Sequence, residues 1–142
     1  MVEKQVFDTN TLQTISIFEK IAKVSCKDYY EHKDRIYFII DTGKLMKALG
    51  DNGINVKLLS DKLGKPIKVA EYNPDIKLFI RNLIHPLKVQ EMDFNEEEKI
   101  ITLKSDDMRT KGLIIGAKAQ NLRFFEKIVQ KYFKDIKELK VV

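Results

Sequence analysis

The chain has 142 residues, 44% of them apolar and 33% charged, a composition that excludes a disordered chain and suits a folded one. Its net charge of +5 is carried mostly by Lys and draws such a chain modestly toward nucleic acid or acidic surfaces. One cysteine, Cys26, excludes an internal disulfide, and no apolar run approaches the ~20 residues of a membrane span or forms a signal-peptide core, so a cytoplasmic protein is expected.

The first helix is expected after Asn10 or Thr11, either of which can cap it, with Leu12, Ile15, Phe18, Ile21 and Ala22 at spacings of three and four. Val24 to Tyr30 and Arg35 to Asp41 are β-rich and read as an antiparallel hairpin across Glu31-His32-Lys33-Asp34. A short helix, Thr42 to Leu49, leads into a loop at Gly50–Gly53, and Ile54 to Leu63 makes another helix that Gly64 ends. Pro66 opens a third strand, Ile67 to Glu71. The helical crossover before it is long enough to lay that strand parallel to one of the hairpin pair.

Asn73-Pro74 marks a boundary, because Pro favours the first turn of a helix and cannot continue a strand ladder. The same order then repeats. Ile76, Phe79, Ile80 and Leu83 form a helix that Pro86 ends, and Leu87 to Phe94 pairs with Lys99 to Lys104 across Asn95-Glu96-Glu97-Glu98. Asp106 or Asp107 caps a short helix reaching Ile115, the Gly116–Ala119 loop follows, and a helix through Leu122, Phe125, Ile128, Val129 and Tyr132 precedes a last strand, Glu138 to Val142. Both halves read αββααβ, giving two domains, 1–72 and 73–142.

The repeat is sharpest at the loops. Leu49-Gly50-Asp51-Asn52-Gly53-Ile54-Asn55-Val56-Lys57 and Ile115-Gly116-Ala117-Lys118-Ala119-Gln120-Asn121-Leu122-Arg123 match in pattern, and their opening glycines stand 66 residues apart. Small residues between two helix ends let backbone N–H groups approach an anion closely, and the anion such a loop suits is the phosphate of a nucleic acid backbone. Asn55 and Asn121 are placed to close the loops through side-chain to backbone hydrogen bonds. Leu49, Val56, Ile115 and Leu122 read as core positions.

An αββααβ order with a G-x-x-G-like loop between its fourth and fifth elements resembles the prokaryotic, type II form of the KH domain, and two copies in one short chain resemble the archaeal NusA-like transcription factors. The likeness covers nearly the whole chain. It rests on Gly43 to Lys57, on Leu63 to Tyr72, and on Lys111-Gly112-Leu113-Ile114-Ile115-Gly116 leading into Asn121-Leu122-Arg123. It implies an α+β fold of two tandem KH type II modules, each with a three-stranded mixed sheet covered by helices. It also implies single-stranded RNA as partner and a role in transcription termination or antitermination.

A KH loop clamps about four nucleotides by their backbone. The implied RNA-binding residues are Gly116, Ala117, Lys118, Ala119, Asn121 and Arg123 in the second module, and Gly50, Asp51, Asn52, Gly53, Asn55 and Lys57 in the first. Each loop departs from the pattern once. Asp51 turns a carboxylate toward phosphate, and Ala119 stands where the second glycine belongs. The second module is therefore expected to be the better phosphate site, with Lys57, Lys62, Lys65 and Lys68 lending the first a compensating positive field. The rival reading is an interaction module that docks on RNA polymerase or a ribosomal particle with little RNA affinity of its own.

His32, His85 and Cys26 lack zinc-ligand spacing, so no metal site is expected. No Walker loop, nucleophile elbow or dinucleotide fingerprint is present, and no catalytic residue, cofactor, small-molecule substrate or membrane partner is expected.

Overall fold

The computed structural model describes residues 9–142, which separate into two compact units, one ending at Tyr72 and the other spanning Asn73–Val142. In the first, α1 (Thr9–Ala22) is followed by β1 (Asp28–His32), β2 (Arg35–Ile40), α2 (Leu45–Leu49), α3 (Ile54–Leu63) and β3 (Ile67–Glu71). The second repeats the order with α4 (Ile76–Ile84), β4 (Glu91–Asn95), β5 (Ile100–Lys104), α5 (Met108–Ile115), α6 (Gln120–Tyr132) and β6 (Glu138–Val141). Each unit is thus α+β with one three-stranded mixed sheet, in the orders β1-β2-β3 and β4-β5-β6.

The sheets follow from the turns and crossovers. Lys33 and Asp34 both take positive φ (49° and 62°), the geometry a two-residue hairpin needs, and β1 runs antiparallel to β2 with Tyr30 opposite Tyr37. The α2–α3 crossover returns the chain so that β3 lies parallel to β2, with Val69 opposite Phe38. In the second unit Asn95 accepts from the N–H groups of Glu97 and Glu98 and Lys99 turns at φ 58°, closing β4 onto β5. β6 then pairs parallel to β5, with Leu139 opposite Ile101.

Helices cover one face of the first sheet. Phe18, Ala22, Ile36, Phe38, Ile40, Ala48, Leu59 and Val69 make one buried cluster in which the Phe18 and Phe38 rings stack at 4.2 Å. Leu49 and Val56 pack at its margin, as their apolar character predicts. In the second unit Phe79 meets the edge of Tyr132 at 5.4 Å, and Ile80, Ile101, Leu103, Ile114, Ile128 and Leu139 are buried. β5 alternates as a half-buried strand should, with Ile101 and Leu103 inward.

Several boundaries differ from the sequence expectation, each for a reason visible in the hydrogen bonds around it. α1 already includes Thr9, so neither Asn10 nor Thr11 caps it. β1 begins only at Asp28, because the Cys26 N–H donates to the Glu19 carboxylate at 2.8 Å rather than to a strand and the first bond to β2 is that of the Lys27 N–H to the Ile39 carbonyl. Gly43 at φ 84° delays α2 to Leu45, while its N–H donates to Glu71 Oε1 and the Thr42 hydroxyl to the Tyr72 carbonyl. Asp75 caps α4 by accepting from the Lys77 N–H, so Pro74 stands before the cap rather than in the first helical turn; Asp107, one of the two caps expected, caps α5 through the Arg109 N–H. The chain turns at residues 85–86, with the Leu87 N–H donating to the Ile84 carbonyl, and residues 87–90 lie before β4.

Candidate nucleic-acid interface

The two loops share one backbone path although only their first residue and the later Asn are identical. Gly50 sits at φ 74°, ψ 177° and Gly116 at φ 75°, ψ 172°. The third position is left-handed in both, Asn52 at φ 54°, ψ 29° and Lys118 at φ 54°, ψ 31°. So is the fourth, Gly53 at φ 71°, ψ 23° and Ala119 at φ 60°, ψ 23°. Each loop is a single tight turn closed by the N–H of its fourth residue on the carbonyl of its first, at 3.2 Å in both.

An asparagine clasps each turn to the helix before it. Asn121 Nδ2 donates to the Leu113 carbonyl at 2.9 Å, and Asn55 Nδ2 to the Ala48 and Lys47 carbonyls at 3.1 and 3.4 Å. These carbonyls belong to the last turn of α5 or α2, where helical acceptors otherwise go unmet. The clasp presses on the first glycine. A Cβ on Gly116 would lie 2.7 Å from Asn121 Cγ, and one on Gly50 2.8 Å from Asn55 Nδ2.

The fourth position is different, because a Cβ on Gly53 would meet nothing within 4 Å. Ala119 therefore fits the space, and its cost is confined to a positive φ that an L side chain disfavours. Ala119→Gly is expected to raise the stability of the second unit by about 0.5–1 kcal/mol, since relief of strain outweighs the looser unfolded chain. A shift of the urea midpoint measures it, and an unchanged or lowered midpoint would contradict the strain.

Charges at the loops are unequal. Lys118 is exposed on its turn and forms no ion pair among the described residues. Asp51, at the second position of the first loop, is likewise exposed and unpaired there, so its carboxylate is uncompensated. The N–H groups of the second and third loop residues open each turn without an intrahelical acceptor and are available to an anion. Arg123 is held by its own helix. Its guanidinium lies 2.6 Å from Glu126 Oε2 and 4.0 Å from Glu138 Oε2, and Glu126 also accepts from the Leu139 N–H at 2.9 Å. The i,i+3 spacing of Arg123 and Glu126 was the sequence signal for that pairing.

The positive field expected around the first loop is smaller than four lysines imply. Lys57 and Lys62 are exposed. Strand pairing sets Pro66 beside Ile36, and the adjacent Lys65 meets Glu31 at 2.6 Å, a bond that holds its pKa above the ordinary lysine value. Lys68 is half-buried on β3, and burial, with Arg35 nearby, lowers its pKa to about 8.

That shift links stability to pH. Between pH 8 and 10.5 the unfolded chain keeps the Lys68 proton and the folded chain releases it, so this group's contribution to stability rises with pH across the window. Below it, Lys68→Met is expected to stabilise by about 1 kcal/mol, an advantage that fades toward pH 10.5. Urea midpoints of both proteins at either end of the window measure the difference, and a pH-independent gap would refute the linkage.

No family model matches the chain. It is 30% identical over 135 residues to the probable transcription termination protein NusA of Methanocaldococcus jannaschii, covering 94% of this chain and 73% of that one. The chain belongs to the archaeal NusA-like family. The corresponding protein of Thermoplasma acidophilum is 29% identical over 130 residues, covering 89% of this chain and 88% of its own. A shorter NusA likeness reaches bacteria, with 30% identity over 89 residues of the transcription termination/antitermination protein NusA of Bacillus subtilis, 62% of this chain and 24% of that one. Among solved structures, the crystal structure of APE1850 matches with a TM-score of 0.69 and 26% identity, covering 96% of this NusA-like chain and 100% of that one.

No described helix of this NusA-like chain is long and apolar enough to cross a membrane, and no group of three or more His, Cys, Asp or Glu among the described residues could hold a metal.

Proposed function

We propose that this NusA-like chain is a non-enzymatic, cytoplasmic RNA-binding factor acting in transcription termination or antitermination, built from two KH type II modules at 1–72 and 73–142. Single-stranded RNA lies with its phosphates on the loops, Gly116–Ala119 taking the larger share. The observation that carries this reading is the common path of the two loops. Their second, third and fourth residues all differ, yet the left-handed positions, the closing bond and the asparagine clasp recur. A helix-to-helix corner alone does not ask for that repetition of detail.

The relatives' names support the transcriptional setting, and the exposed Lys118 supports the second loop as the stronger phosphate site. The two asparagines act by holding the loops in shape and Arg123 is engaged by Glu126 and Glu138, leaving the backbone N–H groups and Lys118 to meet phosphate.

Anisotropy of a labelled oligouridylate across salt tests the reading. With about three phosphates neutralised, log affinity is expected to fall against log salt with a slope of about −2. Absence of binding at about 50 mM salt would overturn it and favour a protein-docking module instead.

A further inference from the structure

We infer that the first unit carries a second anion site, a cleft for a phosphate group formed where the end of α1 meets the start of α2. The cleft measures about 220 Å³ and is lined by Lys23, Val24, Ser25, Asp41, Lys44 and Lys47. Its residues come from two segments. Lys23 turns at φ 60° just past α1, placing it and Ser25 on one wall, while Asp41, Lys44 and Lys47 supply the other. Lys44 is the residue before α2 and Lys47 lies three further on, in that helix.

Charge decides what the cleft accepts. Lys23, Lys44 and Lys47 are all exposed, and none forms an ion pair among the described residues. The lining carboxylate, Asp41, is matched from outside by Lys27, whose Nζ lies 3.5 Å from its Oδ1. The neighbouring Glu71 and Glu19 accept backbone N–H bonds from Gly43 and Cys26, each at 2.8 Å. Three ammonium groups around one cleft repel each other, and an anion with several acceptor oxygens relieves that repulsion while offering each lysine a charge-assisted bond. The Ser25 hydroxyl adds a neutral donor, and Val24 is the one apolar residue of the lining.

Phosphate is the ligand chemistry that fits, and a nucleic acid backbone or a small phosphorylated compound could each supply it. The cleft is distinct from the Gly50–Gly53 loop but next to it in the chain, for the Lys47 carbonyl is one of those clasped by Asn55. It does not depend on either loop binding RNA.

The test is a titration of the full chain with inorganic pyrophosphate, followed by backbone amide NMR. Saturable shifts are expected at residues 23–25 and 41–47, and Lys44→Gln combined with Lys47→Gln is expected to weaken binding about tenfold or more. Lys134→Gln, an exposed lysine of the other unit, is expected to bind as wild type does. An oligouridylate that displaces the pyrophosphate identifies nucleic acid as the source, and one that leaves it in place identifies a small phosphorylated compound; either result upholds the site. Shifts that do not saturate, that centre elsewhere, or that persist unchanged in the double variant would overturn it. Loss of oligouridylate binding through Lys118→Asp, with pyrophosphate shifts intact, separates this site from the second loop.

Discussion

Gly116→Ala is expected to destabilise the second unit by about 3 kcal/mol, several times the effect of the same exchange at Gly53. Two costs combine. The backbone at φ 75°, ψ 172° lies in a region that only glycine enters freely, worth about 1–3 kcal/mol to any other residue. The added methyl would also stand 2.7 Å from Asn121 Cγ, so the asparagine must swing away and surrender its bond to the Leu113 carbonyl, about 1 kcal/mol more. A unit of this size is stabilised by only about 4–10 kcal/mol, so the melting point should fall by ten degrees or more. Gly50→Ala should act alike in the first unit, where the methyl would meet Asn55 and Ile54. Asn121→Ala provides the control. With the clasp already gone, Gly116→Ala should cost about 1 kcal/mol less than it does alone. Strict additivity would show that the asparagine is not pressed against the glycine.

Periodicity and punctuation revealed the elements, because the signals were local. Gly64 stops α3 where a left-handed residue was needed, and the bounds of α3 and β3 agree with the sequence to the residue. The parallel return of β3 also followed, since crossover length and handedness leave few options. Misplaced starts had non-local causes. β1 begins late because Glu19, seven residues earlier in the chain, takes the Cys26 N–H, and α2 begins late because Glu71 and Tyr72 hold Gly43 and Thr42. At the loops, residue types announced the small-residue turn and the asparagine clasp. Charge was harder to read, because a lysine counts toward a local field only if nothing else holds it. Lys65 is spent on Glu31 and Lys68 is half-buried, facts set by sheet pairing rather than by neighbours in sequence. The basic cleft was invisible for a similar reason, its lysines lying on segments some twenty residues apart.

Charge reversal at the third position of one loop and the second position of the other should move RNA affinity in opposite directions. Lys118→Asp is expected to weaken oligouridylate binding about tenfold or more at low salt, and Asp51→Lys to strengthen it about tenfold. Near a protein surface, unit charges at contact distance interact by about 1–4 kcal/mol, and reversal both removes one sign and adds the other. The estimate holds near the lower end of that range because both side chains are exposed and screened. Salt separates this mechanism from damage to the fold. Losing one phosphate contact should flatten the log affinity against log salt slope by about 0.7, and gaining one should steepen it by as much, whereas a misfolded loop would lower affinity without a matched change of slope. Both turns should survive the exchanges. Lys118 already holds a left-handed position that Asp tolerates better than most residues, and no side-chain bond to the turn depends on Asp51. If Asp51→Lys left both affinity and slope unchanged while Lys118→Asp reduced both, RNA would be gripped by the second loop alone. The first loop would then keep the shape without the contact. If neither variant changed either quantity, the loops would not be the phosphate sites, and their shared geometry would have to be explained by packing.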